Sequence, residues 1–412
     1  MGGFFSKKET ELVSRPDGKS YSCISCGLFK TCQSPKMEPY GKFKKEIMII
    51  GEAPGEKEDK YGKPWQGQTG NLLEDTLDRL GISLFDDCVS LNSVNCRPTD
   101  KDGDNRKPTN YELGCCRRIV IKAINDYKPK VIICLGESAA YSLIGHRWKK
   151  SFDGIFKWRG WTIPDQDFKC WICPTFHPSF IERSKRNEMV AEVIWKNDLK
   201  QAISKLDQPF LIYKEPKFDF IEDLEELYNI DKSVPFIVPD FETTGRKPHA
   251  PGHKILCAGI ADSPDHVYVF MIPESRSKRQ PLVDILTNKG ILKAGQNMKF
   301  EIAWAREILH CNINGFVHDC MIASHILDNR FGVTGLKFQT FVQFGIPDYD
   351  SEVEPYIKSI DEKNANSLNR LPEFILKPDG PKKLMTYCGY DCINEYRLAN
   401  IQEYIVGSTL PF

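Results

Sequence analysis

The sequence predicts an α/β protein of two domains, and three observations carry that expectation. Short apolar runs ending in Gly, Pro, Asn or His alternate with helical patterns through the first half. A second block opens on apolar runs and turns helical later. A length of 412 residues exceeds what one hydrophobic core usually organises.

In chain order, "KEIMIIGEAP", "CVSLNSVNC", "PKVIICLG" and "CWICPTFHPS" read as strands, with "TGNLLEDTLDRLGI" and "GCCRRIVIKAINDY" as helices between them. Strands separated by helices imply a parallel sheet whose ligands sit at the carboxyl ends of the strands. The charged helix "VAEVIWKNDLKQAISKL" closes a first domain, residues 1–206. Residues 207–235 read as a connector and lead-in helix, from the proline-bearing "DQPFLIYKEPKFDF" and from "FIEDLEELYNI". A second domain, 236–412, begins with "VPFIVPDFETTG", "KILCAGIAD", "HVYVFMIP" and "ILKAGQNM". Within it "KSIDEKNANSLNRLPEFILKPDGPKK" looks least ordered and is expected to be a mobile loop.

Composition sets the class. An apolar fraction of 41% and a charged fraction of 27% are those of an ordinary globular chain. No apolar run reaches the roughly 18 residues of a membrane span, and the start lacks a signal peptide's apolar core and cleavage site. "MGGFFS" fits the loose N-myristoylation pattern, a short match that chance often supplies. Zero net charge argues against a non-specific polyanion coat but leaves room for basic patches balanced by an acidic site. Fifteen cysteines without a secretory signal suggest metal or cluster ligation in one region and buried thiols elsewhere, the latter including Cys134, Cys257 and Cys388.

The stretch "IMIIGEAPGEKED" is no phosphate cradle, because Glu52, Glu56, Glu58 and Asp59 stand where Lys and Ser or Thr belong. Upstream, "CISCGLFKTC" supplies Cys23, Cys26 and Cys32; Cys96 and the pair Cys115 and Cys116 follow. Such a set can build a tetrahedral zinc site or hold an iron–sulfur cluster.

With that N-terminal C-x2-C, the ordered run "GEAPGEKED", "GKPWQGQTGNLL", "LNSVNCRP" and "FHPS" resembles the family 4 uracil-DNA glycosylases over residues 20–206. The resemblance implies a 4Fe-4S cluster on Cys23, Cys26, Cys96 and Cys116, with Cys115 and Cys32 as alternatives. It also implies a pocket for a flipped-out uracil formed by Gly51, Ala53, Trp65, Asn92 and His177. There the turn from Gly51 to Gly55 would offer backbone N–H groups to a uracil carbonyl. Trp65, usually Phe in the family, would stack, Asn92 would read the base edge, and His177 would donate to O2 of the leaving base. Ala53 stands where better-known uracil glycosylases carry a water-activating Asp, which suggests a dissociative reaction. Glu52 is a candidate for ordering water or stabilising cationic sugar character. Arg183, Lys185 and Arg186 in "ERSKRNE" are candidate phosphate contacts.

In "PDFETTG", Asp240 and Glu242 project from one face of a strand, and paired carboxylates there favour a hard divalent cation. "GQNMKFE" adds Asn297, Lys299 and Glu301, and "YCGYD" adds Tyr387 and Asp391 at helical spacing. This set resembles the 3′–5′ proofreading exonuclease domain of family A DNA polymerases, of ribonuclease H-like fold with a mixed sheet. It implies two Mg2+ or Mn2+ ions on Asp240, Glu242 and Asp391, a water oriented by Tyr387, and a strand path along Asn297, Lys299, Phe241 and Thr243. Glu301 departs from the family's Asp by one methylene. "HDCMIASHILD" resembles an internal helix of that family, with Asp319 either structural or supporting a metal ligand from behind.

The pairing resembles the front end of certain bacteriophage polymerases. It implies a replication and repair enzyme acting on 3′ ends and uracil-containing DNA in the cytoplasm, that of a bacterial host if phage-encoded. The sequence after "YRLANIQEYIVGSTLPF" leaves no length for a polymerase core, so a separate polymerase subunit is expected as partner, and no membrane. The competing reading makes the first domain a non-catalytic DNA-binding and docking module.

Overall fold

The computed structural model describes residues 21–148, 150–184, 189–346, 349 and 352–409. "MGGFFS", Lys185 and Arg186 lie outside the described residues. The chain divides into two units, Met1–Tyr213 with Val342–Pro347, and Lys214–Phe341 with Asp348–Phe412.

The first unit is built on Ile47–Gly51 (β1), Cys88–Asn92 (β2), Val131–Leu135 (β3), Ile163–Asp165 (β4) and Cys170–Thr175 (β5). Their order is β2-β1-β3-β5-β4; only β4 runs antiparallel, on β5. Ile47 to Ile50 are wholly excluded from solvent because helices cover both faces, as the continuous apolar runs predict. One of these cores joins Ile47 and Ile49 to Leu73 and Leu77 of the helix Gln68–Asp78 and to Trp195 and Leu199 of the helix Met189–Ser204. The sequence reading has no β4: three residues with Pro164 in the middle carry no alternation, and proline is tolerated there because the strand is an edge.

The second unit contains Lys217–Phe220 (β6), Val238–Thr243 (β7), Ile255–Ser263 (β8), His266–Met271 (β9), Lys293–Gly295 (β10) and Phe316–Asp319 (β11). β7, β8 and β9 form an antiparallel meander, and β6 pairs in parallel with β9. Ile237, just before β7, bridges Lys293 in parallel, and β10 pairs in parallel with β11. The order β9-β8-β7-β10-β11, with the last two parallel to β7, is that of a ribonuclease H-like mixed sheet. The helix Gly380–Thr409 packs across β7, β8 and β9.

Two segments differ from expectation. Residues 207–235 hold the edge strand β6 and a 3-10 helix, Leu224–Asn229; a four-residue strand after Pro216 offers too few positions for a period to show. The stretch expected as a mobile loop is tied down instead. Asn369 donates from Nδ2 to Thr243 O and from its backbone to Thr244 O, both at 2.8 Å, and Asn366 O meets His253 Nε2 at 3.1 Å. Its polar side chains satisfy the backbone just past β7 rather than solvent. Among the described residues no helix is long and apolar enough to cross a membrane.

Candidate functional site

In the first unit Gly51 ends β1 directly opposite Asn92, which ends β2. A Cβ on Gly51 would stand 2.4 Å from Asn92 Oδ1 and 3.2 Å from the Trp65 ring, so glycine is what lets amide and indole close on one another. The Trp65 and His177 rings lie 5.9 Å apart between centroids, tilted by 32°. Behind them Gly136, just past β3, adopts φ +89°, and a Cβ there would meet His177 Cβ at 3.0 Å. Four of the sequence-predicted residues, Gly51, Trp65, Asn92 and His177, are thus brought together at the carboxyl edge of the sheet. Ala53 packs on the neighbouring cluster of Leu28, Val94, Cys96 and Cys116. Arg183 is exposed in the last turn of the helix Pro178–Ser184.

The histidine is set in one tautomer. Ser179 donates its backbone N–H to His177 Nδ1 at 3.2 Å, with its hydroxyl at 2.9 Å, so the ring proton belongs on Nε2. Burial, then the charge of Arg183, pushes His177 down to about 4, leaving a neutral N–H donor at ordinary pH.

The acidic run has a positioning job. The Glu58 carboxylate accepts the N–H of Gly55 at 2.6 Å on one oxygen and the N–H of Trp65 on the other. Trp65 needs that clamp, because its φ of +62° is a left-handed conformation costing a bulky residue about 1–3 kcal/mol. Asp59 accepts from the backbone of Gln33 and Ser34 at 3.0 and 2.8 Å, tying down the cysteine-bearing segment. Glu52 accepts from the Ser138 hydroxyl at 2.7 Å. One expectation changes: the Gly55 N–H is spent on Glu58 and is not offered to a ligand. Glu58 and Ser138 carried no sequence signal beyond lying beside the turn and just past β3.

Cysteines from three chain segments converge beside this pocket. Cys23 and Cys26 stand on the short helix Cys23–Cys26, closed at its start by a Ser22–Ser25 capping box. Cys96 follows β2, and Cys116 rides the helix Asn110–Tyr127, whose start is fixed by Glu112 accepting from Thr109 and from both Arg106 nitrogens. Cys96 and Cys116 share one buried cluster, with Cys26 and Cys32 packed against it. Burial first, then neighbouring thiols, pushes Cys96 up to about 11 and Cys116 up to about 12. Cys32 lies within hydrogen-bonding reach of Cys96. Cys115 is fully buried outside that cluster. A donor set of convergent, buried thiols suits an iron–sulfur cluster.

In the second unit, oxygens of Asp240, Glu242 and Asp391 all lie within 4.8 Å of one another. Burial, then adjacent acidic groups, holds Asp240 and Glu242 well above the carboxylate range. Glu301 is buried with Oε2 unpartnered, and burial pushes it up to about 8. Such a set, short of positive charge, fits hard divalent cations. Tyr387 sits one helical turn before Asp391. Asp319 is structural as expected: its carboxylate caps the helix Cys320–Leu327 and accepts from Asn297 and Met298 at 3.1 and 3.0 Å. Lys299 is exposed and Asn297 half-buried. Phe241 belongs to the core and the Thr243 hydroxyl is spent on Gly245 O, so neither is presented to a strand of DNA.

Three residues here escaped sequence reasoning. Lys337 pairs with Asp391 while its ammonium sits 3.7 Å from the Tyr349 ring and 4.3 Å from the Tyr387 ring. Tyr349 donates to Asp391 at 2.6 Å. Glu395, buried one turn past Asp391, accepts from the Gln296 N–H at 3.2 Å. Only the last had a signal, an acidic residue at helical spacing from Asp391.

Comparison with known proteins bears on the family of the first unit. Residues 38–200 match the Uracil DNA glycosylase superfamily. The Type-4 uracil-DNA glycosylase of Thermotoga maritima is 36% identical over 43% of this chain and 88% of its own length. That of Pyrobaculum aerophilum is 34% identical over 38% of this chain and 82% of its own. Among solved structures, Brucella melitensis NrnC with bound Mg2+ aligns with 47% of this chain and 83% of its own at 18% identity and a TM-score of 0.33. Through the unit that places Asn92, Trp65 and His177 around Gly51, the chain belongs to the Type-4 uracil-DNA glycosylase family.

Proposed function

We propose that the first unit excises uracil from DNA and that the second trims DNA 3′ ends with divalent metal ions. The convergence of Asn92, Trp65 and a neutral His177 supports the first activity, and the grouped oxygens of Asp240, Glu242 and Asp391 support the second. A flipped-out base stacks on Trp65 and is read along its edge by the Asn92 amide. As the N-glycosidic bond breaks, His177 Nε2–H donates to O2, where the departing uracil gathers negative charge. Ala53 supplies no carboxylate to activate water, so stabilising that anion is the main contribution. Glu52, held by the Ser138 hydroxyl, orders water beside the sugar. Cys23, Cys26, Cys96 and Cys116 hold a 4Fe-4S cluster that braces the pocket's supporting loops, and Arg183 meets phosphate.

In the second unit Asp240, Glu242 and Asp391 hold Mg2+ or Mn2+, which when bound supplies hydroxide and offsets phosphoryl charge. Tyr387 orients the attacking water, Glu301 supports the metal from its buried position, and Asn297 with Lys299 steadies the 3′ strand. Trimming of this kind serves proofreading beside a separate DNA polymerase.

A single duplex carrying one uracil and a mismatched 3′ end tests both activities. His177→Ala should abolish abasic-site formation while 3′ shortening persists, and Asp240→Ala should do the reverse. Tight uracil-DNA binding without excision by the wild type would make the first unit a docking module. Mg2+-dependent shortening that survives Asp240→Ala would refute the exonuclease reading.

A further inference from the structure

Cys257 and Cys388 are expected from sequence to be buried apolar thiols, and buried they are, but they do not stand apart. Cys388 and Cys392 lie one turn apart on the helix Gly380–Thr409, and Cys257 lies on β8 opposite Glu242. Cys388 Sγ is 3.5 Å from Asp240 Oδ2, and a carboxylate oxygen of Asp240, Cys388 Sγ and Cys392 Sγ all lie within 4.8 Å of one another. Gly259 of β8 leaves the space above it to sulfur: a Cβ there would stand 2.5 Å from Cys392 Sγ and 3.4 Å from Cys388 Sγ. Two sulfurs and one carboxylate oxygen therefore converge at a point that shares Asp240 with the carboxylate cluster.

We propose that Asp240, Cys388 and Cys392 form a second metal site that takes a thiophilic divalent cation such as Zn2+ and withdraws Asp240 from the carboxylate site. Two thiolates and a carboxylate are zinc donors, and three protein ligands leave the fourth tetrahedral position to water. Thiolate sulfur discriminates against Mg2+, which keeps to oxygen, so the two sites prefer different ions while competing for one residue. On binding, each ligating thiol releases its proton to solvent and forms an S–Zn bond; nothing is oxidised or reduced. Filling the site switches off Mg2+-dependent trimming. That consequence rests on the exonuclease reading, whereas metal uptake does not.

Full-length protein with its N-terminal cysteine centre loaded is titrated anaerobically with Co2+, beside Cys392→Ala. The wild type should take up one equivalent more than the variant, with a thiolate-to-cobalt charge-transfer band that Zn2+ abolishes. Equal uptake by the two would overturn the site. If Cys392→Ala fails to fold, Cys392→Ser gives the same comparison, with weaker uptake expected and unchanged uptake overturning the site. In a trimming assay at fixed Mg2+, the wild type should be at least about tenfold more sensitive to Zn2+ than Cys392→Ala, in line with the cost of disturbing a metal site. Equal sensitivity would overturn the competition for Asp240. Absence of trimming by metal-stripped wild type resupplied with Mg2+ would instead overturn the exonuclease reading, leaving Co2+ uptake to decide the site.

Discussion

Replacing Gly51 with Ala is a sharp test of the pocket, because structure and activity should respond by very different amounts. The added Cβ would lie 2.4 Å from Asn92 Oδ1, a separation that non-bonded carbon and oxygen do not sustain. To reach even about 3 Å the amide must retreat by more than half an ångström, and the Trp65 ring, at 3.2 Å, limits where the new methyl can go. The atom in the way is the tip of a side chain, not backbone, so the fold yields at small cost, about 1 kcal/mol. The base-reading amide does not escape so lightly. Misplacement on the order of 1 Å costs about 100-fold in rate, roughly 2.7 kcal/mol of transition-state stabilisation. Single-turnover excision from a uracil-containing oligonucleotide, read by alkaline strand cleavage, should therefore fall about 100-fold in Gly51→Ala while the melting temperature moves by a few degrees at most. The double variant Gly51→Ala with Asn92→Ala should excise no more slowly than Asn92→Ala alone, because the methyl acts through the amide. If Gly51→Ala excised within about threefold of wild type, with the asparagine still required, Asn92 would not read the base from the place assigned to it.

The remaining expectations separate other parts of the molecule. Cys116→Ala should lose iron and its visible absorbance, measured with metal content on anaerobically purified protein, whereas Cys115→Ala should keep both; the reverse outcome would exchange the two ligands. His177 carries a folded value of about 4 against about 6.5 unfolded, so as pH falls through that window the unfolded chain binds the proton first. Its contribution to stability is complete above about 6.5 and is lost towards 4, and His177→Gln should flatten that part of the first unit's denaturation profile. Lys337→Met should destabilise the metal-free second unit by about 3 kcal/mol, because Asp391 is left among acids without a cation, and Mn2+ should restore most of it. A variant whose melting temperature is unaltered, or altered equally with and without Mn2+, would show that Lys337 and metal do not share that role.

What the sequence made legible, and what it did not, divides along a physical line. Strands β1, β2, β3 and β5 were visible because a parallel sheet buried on both faces needs unbroken apolar runs, and Gly51, Asn92 and His177 because they punctuate the ends of those runs. β4, β6 and β11 are too short or too exposed for periodicity to register. The grouping of Asp240, Glu242 and Asp391 was foreshadowed by strand spacing for the first two and by the family resemblance for the third. Lys337, Tyr349 and the sulfur of Cys392 reach the same place from segments whose local pattern says only helix or loop, and no spacing rule links them to Asp391 or Asp240.

The acidic run after β1 shows the difference most clearly. Read as a string, Glu52, Glu58 and Asp59 look like ligands for a cation. In space each is paired with protein donors: a Ser138 hydroxyl, the N–H groups of Gly55 and Trp65, and the N–H groups of Gln33 and Ser34. A carboxylate that accepts backbone N–H bonds is satisfied without metal, whereas Glu301 in the other unit, with a buried oxygen that nothing meets, is not. The number of acids in a stretch therefore said little about where a cation binds. The unmet hydrogen-bonding capacity of a buried one, Glu301 Oε2 in the second unit, is the observation that supports the proposal of hard metal ions there.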